Sequence, residues 1–191
     1  MDFRIEDGKG TGKFAAVSTR NRLNVAAVTT PIISDAAFDG DAYSLVGSHT
    51  LQASATDENV FFLKNDNADK LVYLQSLRFA AQTVGVIGKS VFGATYTSGG
   101  SAKTSVQLNR SSAKNSGVTA YDNSTNNLVL NVTQALEFAR FRVGTTMTFF
   151  AQSDGAIILG PGDTWAIRAQ GTAGDIIDVS TFFFEFDSLV R

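Results

Sequence analysis

Apolar residues recur at every second position in several separate stretches of this chain. That is the period of a half-buried β-strand and not of a helix. Leu71, Tyr73, Leu77, Phe79 and Ala81 fall on one face of 71–81, and Leu128, Leu130 and Val132 on one face of 127–132. Met147, Phe149 and Ala151 do the same in 145–151, as do Trp165, Ile167 and Ala169 in 163–170. Further strand candidates lie at 42–46, 50–54, 59–64, 91–97, 103–108, 156–159 and 176–186. Turn residues separate these segments, and no internal repeat is visible. The pattern predicts an all-β chain folded as an antiparallel β-sandwich. The stretch 134–142 stays open. Thr133 is placed to cap a small helix there, with Glu137 and Arg140 one turn apart.

The first thirty residues read differently. Asp7-Gly8-Lys9-Gly10-Thr11-Gly12-Lys13 is polar with alternating glycine, the composition of an extended, flexible arm. It fails as a phosphate-binding loop, because Asp7 stands where the leading glycine is needed and Phe14 where a Ser or Thr should follow. Residues 14–17 and 22–28, on either side of a polar Ser18–Asn21 stretch, read as a short hairpin. Ser34 has the character of a helix N-cap, Asp35 suits a helix start, and Ile33 and Phe38 occupy staple positions. Gly40 then stops the turn, predicting a single helical turn over 35–39. The expected organisation is an arm and hairpin over 1–30, then a sandwich domain over 31–191.

Two segments break the alternation. Val60-Phe61-Phe62-Leu63 is apolar on both faces, and in the last strand Phe182, Phe184 and Phe186 lie opposite Phe183. A sandwich strand ordinarily wets one face. The economical expectation is an oligomer interface that includes Phe61, Phe182, Phe183, Phe184 and Phe186. The alternative is a cover supplied by a loop of the same chain.

Composition narrows the chemistry. The 191 residues contain no Cys and one His, which removes disulfides, thiolate metal centres and multi-histidine sites within one chain. His49 is expected at a strand edge or turn, and no nucleophile elbow accompanies it. Carboxylate pairs are available at Asp35, Asp39 and Asp41, at Asp57 and Glu58, and at Asp66 and Asp69. All sit in turn-like stretches where local chemistry explains them. Asp39-Gly40-Asp41 lacks the spacing of a calcium loop. No enzyme activity, cofactor or metal is expected. Fifteen Phe against one Trp and four Tyr favour core packing over sugar stacking. Trp165 is expected in the core, and Tyr43, Tyr96 and Tyr121 are the surface aromatics to consider.

The net charge is −2. Nucleic acid is therefore disfavoured as a partner. The charge is also uneven. The first 22 residues carry Arg4, Lys9, Lys13, Arg20 and Arg22, whereas 154–187 is acidic apart from Arg168. No apolar run is long enough for a membrane span, and the charged start has no signal core, so no membrane is expected and synthesis in a cytoplasm is.

Residues 5–28, from Ile5-Glu6-Asp7-Gly8-Lys9-Gly10-Thr11-Gly12-Lys13 through Asn21-Arg22-Leu23-Asn24-Val25, resemble the start of many tailed-bacteriophage virion proteins. Asp39-Gly40-Asp41-Ala42-Tyr43-Ser44 and Val60-Phe61-Phe62-Leu63-Lys64-Asn65, followed by Leu71–Arg78, are similar to the next shared elements. Leu159-Gly160-Pro161-Gly162-Asp163-Thr164-Trp165 and Asp178–Glu185 are similar to the closing strands of a phage jelly roll. The region 82–126 lies outside the resemblance.

The resemblance implies a jelly-roll capsid decoration or cement protein on the virion surface, made in the bacterial host cytoplasm and commonly trimeric. It would bridge major capsid protein subunits through the N-terminal arm, with Arg4, Lys9, Lys13, Arg20 and Arg22 as the contacts. The alternatives are a host-recognition or carbohydrate-binding appendage module, or a low-copy neck or tail component.

Overall fold

The structure is a computed structural model and describes residues 16–17, 23–24, 32–143 and 148–187. The chain divides into two units, Met1–Pro31 and Ile32–Arg191. In the first, β1 (Ala16–Val17) pairs antiparallel with β2 (Leu23–Asn24), with Val17 opposite Leu23.

The second unit opens with α1 (Ile32–Asp39) and continues with β3 (Ala42–Thr50), β4 (Glu58–Asn65), β5 (Lys70–Ala81) and β6 (Ile87–Phe92). Five short strands follow: β7 (Thr95–Ser98), β8 (Ser101–Lys103), β9 (Val106–Gln107), β10 (Val118–Asp122) and β11 (Val129–Asn131). The chain then forms β12 (Leu136–Arg142), β13 (Thr148–Leu159), β14 (Thr164–Gln170) and β15 (Ile176–Asp187). One sheet has the order β12-β6-β14-β4-β10-β8 and the other β13-β5-β15-β3-β9, and β11 pairs separately with β7. Every pairing is antiparallel. The expected all-β sandwich is what the chain forms.

The core lies between the two large sheets. Phe61 and Leu63 of β4, Trp165 and Ile167 of β14, and Val179 and Phe183 of β15 are buried there together. The Trp165 ring meets Phe61 edge-on at 6.0 Å between centroids, and its indole N–H donates to the Ser90 hydroxyl at 2.6 Å. A buried indole needs such a partner, because an unpaired donor inside a core costs about 1–3 kcal/mol.

Four sequence expectations change. The face assigned to 71–81 switches partway along. Val72 and Leu74 point into the core with Leu77, Phe79 and Ala81, while Tyr73 packs outside. The pairing of β5 with β15 shifts register between Phe182 and Phe183, and the extra residue turns the parity over. The ambiguous 134–142 stretch is strand: β12 pairs with β6 along its length, so partner hydrogen bonding decides what local propensity left open. The helix begins at Ile32, which places Ser34 and Asp35 within it and not at its cap. Phe38 is 82% exposed and staples nothing. Gly40 does end the helix, with φ +79° and its N–H donating to the Ala37 carbonyl at 3.2 Å. Finally, β10 was not foreseen, although it is central, between β4 and β8.

Candidate functional site

Of the two segments that were apolar on two faces, the one at 60–63 is covered within the chain and the one at 182–186 is covered in part. Phe62 points away from the main core, yet it is 1% exposed. Leu128 and Leu130, together with Tyr96 and Tyr121, form a second apolar layer over it. Tyr96, Leu128 and Leu130 come from the region of the β7–β11 pair, which packs over the outer face of the six-stranded sheet, whereas Tyr121 sits beside Phe62 in the β10–β4 ladder of that sheet. At the other sheet, Phe184 is buried with Ala36 and Ala42, and Tyr73 stacks on it at 5.3 Å.

The expected interface residues are therefore redistributed. Phe61, Phe183 and Phe184 are 0%, 1% and 3% exposed in the single chain, so they have no surface left for a partner. Phe186 is half-buried against Tyr73, and Phe182, 41% exposed, faces outward. The predicted arm residues Arg4, Lys9, Lys13, Arg20 and Arg22 lie outside the described residues.

His49 lies near the end of β3, where that strand pairs only with β15, and it is buried: its ring faces the Glu58 carboxylate through Nε2 at 2.7 Å and the Asn123 carbonyl through Nδ1 at 3.0 Å. Glu58 also accepts the backbone N–H groups of Gln52 and Ala53, both at 2.7 Å, so the pair ties β3 to the loop that follows it. Tyr43 is 1% exposed. It stacks on Phe183 at 5.5 Å, and its hydroxyl donates to the Gly40 carbonyl at 3.1 Å. Burial, with Glu185 and Asp41 nearby, pushes its phenol up to about 12.

Several carboxylates, among them Asp41 and Asp57 of the catalytic candidates, are held in ion pairs, although Asp57 Oδ1 is buried without a hydrogen-bond partner among the described residues. Asp41 accepts from Lys114 at 2.7 Å and Lys70 at 3.3 Å, and Asp57 from Lys89 at 2.5 Å. Asp122 has a fully buried side chain. It accepts from Lys103 at 2.7 Å and from the Ser48 N–H at 3.0 Å. Burial alone would raise its carboxyl, but these bonds and two from Ser124 outweigh that and hold it below the usual range.

The surface feature that remains is a groove of about 650 Å³ on the outer face of the six-stranded sheet. Tyr96 of β7 and Tyr121 of β10 line it, stacked at 4.3 Å with their planes 10° apart. Phe92 and Ile158 contribute apolar surface beside the buried Phe62 and Ala94, while Lys64, Asp66, Thr95, Thr119, Asp163 and Thr164 contribute polar groups. Two glycine-associated turns shape it. Gly93, at φ +76°, separates β6 from β7. In the 160–163 turn, Asp163 accepts the Gly160 N–H at 2.8 Å. Lys64 and Asp66 pair at 2.5 Å, and both are substantially exposed. Burial would raise the Asp66 carboxyl, but hydrogen bonds from Lys64 and Thr119 hold it below its usual range.

Of the three tyrosines singled out in the sequence, the fold brings Tyr96 and Tyr121 together and removes Tyr43. Of the polar residues around the groove only Asp66 stood out in the sequence, because they come from four different strands and two connections. Among the described residues, no helix is long and apolar enough to cross a membrane. The fold defines a two-sheet antiparallel β-protein with an outer apolar layer. No family model and no curated protein matches the chain.

Proposed function

We propose that this chain is a non-enzymatic bacteriophage structural protein that decorates or cements the capsid. The observation that carries this reading is the strand connectivity. When the 93–135 segment is set aside, eight strands remain. They lie in the orders β3-β15-β5-β13 and β4-β14-β6-β12, and consecutive strands alternate between sheets except at β6 and β12. This order supports reading the body as a jelly roll, in keeping with the resemblance of residues 5–28, 39–44, 60–65, 71–78, 159–165 and 178–185 to phage virion proteins. The single histidine supports the non-enzymatic half, since its ring is buried with both nitrogens engaged.

In this reading the N-terminal arm docks on the major capsid protein through Arg4, Lys9, Lys13, Arg20 and Arg22. Self-association, as a trimer, uses the outward face of β15 and β3, where Phe182 and Val46 are exposed. Three arms on one body then act multivalently, so contacts that are weak singly give tight attachment.

The test is quantitative mass spectrometry of purified particles, paired with an arm deletion. The expected result is a copy number that is a simple fraction of the major capsid protein. Deleting residues 1–22 should leave a folded body that no longer binds shells. A copy number far below that fraction would move the protein to a neck, tail or fibre position. Undiminished shell binding by the truncated chain would overturn the arm mechanism.

A further inference from the structure

We infer that the groove beside Tyr96 and Tyr121 is a binding site for a neutral oligosaccharide. Its volume, about 650 Å³, falls within the roughly 300–1,000 Å³ common to small-ligand sites. Its composition is that of a sugar subsite. Aromatic surface packs against the C–H faces of a pyranose, and adjacent donors and acceptors bind its hydroxyls. Lys64 can donate, while Asp66 and Asp163 can accept, all around one aromatic floor.

The charge of the rim selects among ligands. It carries one cation, Lys64, against two carboxylates, Asp66 and Asp163. Burial would raise the Asp66 carboxyl, but the bonds from Lys64 and Thr119 hold it below its usual range. A sulfated glycan, a sialylated glycan or a nucleic-acid backbone would meet net negative charge here, whereas an uncharged sugar would not. The site is also built on framework and not on a free loop. Tyr121 sits directly across from Phe62 in the β10–β4 ladder, and the Tyr96 hydroxyl donates to the Gly99 carbonyl at 3.0 Å. Rings held this way lose little freedom on binding, which favours affinity.

The experiment is a glycan array carrying neutral and anionic oligosaccharides, probed with the full chain. Neutral hits are then titrated by saturation-transfer NMR. The expected result is binding confined to neutral glycans. Tyr121→Ala should weaken it at least tenfold, as should the rim double variant Lys64→Ala/Asp66→Ala. The rim variant guards against a folding artefact, because its side chains are exposed and its thermal midpoint should match the parent. Silence on every neutral glycan, binding to anionic glycans only, or neutral binding that survives the rim variant would each overturn the inference. None of these outcomes alters the particle copy number or the effect of the arm deletion, so the two readings fail separately.

Discussion

The two faces of the six-stranded sheet are both apolar, yet they are buried by different means. The inner face packs against the second sheet, where Phe61, Trp165 and Ile167 are fully enclosed. The outer face carries Phe62, Val91 and Ala166, and its cover is the β7–β11 pair with Tyr96 and Tyr121. The inner cover consists of long strands from distant parts of the chain. The outer cover is the short β7–β11 pair, whose two strands are separated in the chain by β8 to β10 of the main sheets, and it is edged by a groove. The difference teaches that a strand apolar on both sides does not by itself demand a second subunit. An insertion in the same chain can meet the requirement, and where it ends it leaves partly covered aromatic rings.

The largest test of this comparison is to empty one site on each face. Phe61→Ala and Phe62→Ala should each cost about 3–5 kcal/mol, because both rings are fully enclosed. Denaturant titrations should give the same loss for Phe62→Ala at every protein concentration. A loss that grows on dilution would mean that a partner subunit supplies the cover.

Next comes the carboxylate that joins the sheets at their edge. Asp122 of β10 accepts the Ser48 N–H of β3 in the opposite sheet. Asp122→Ala should cost about 2–3 kcal/mol in chemical unfolding, since it strands that N–H and leaves the partly buried Lys103 without its carboxylate. Gly88→Ala follows at about 1–3 kcal/mol by thermal unfolding, because a Cβ there runs into the Phe141 ring across the β6–β12 pair.

Two pH effects sharpen the comparison further. The Asp122 carboxyl is depressed in the folded state, so its contribution is complete above the ordinary aspartate range and is lost as pH falls through its lowered value. Asp66, on the groove rim, is depressed in the same direction but exposed, so its share of acid destabilisation should be small. Asp122→Asn should therefore flatten the acid limb of a stability–pH curve more than Asp66→Asn does. Tyr43 acts at the other extreme. Its phenol is raised to about 12, so its contribution is complete below pH 10 and is lost as pH rises toward 12. Tyr43→Phe should flatten the alkaline limb.

The smallest expected effect is at the exposed Glu137–Arg140 pair, 2.7 Å apart on β12. Glu137→Ala should change stability by less than about 1 kcal/mol.

Alternation of apolar and polar residues was enough to read the fold class, most strand positions and the burial of Trp165. Those properties follow from a two-residue period that the backbone imposes locally. Tyr96 and Tyr121 were also legible as surface aromatics, because nothing in their short, polar surroundings assigned them to a core. Other features depended on partners far along the chain. The face switch in β5 needs the register shift against β15. The strand at 136–142 needs the edge of β6. The burial of His49 needs Glu58 and Asn123, and the burial of Phe62 needs a cover from residues beyond 93. A one-residue slip in register exchanges the two faces of a strand. Period alone therefore told which residues share a side only where the register runs unbroken; the tertiary structure decided where parity flips, which side is covered, by what, and where an open groove is left.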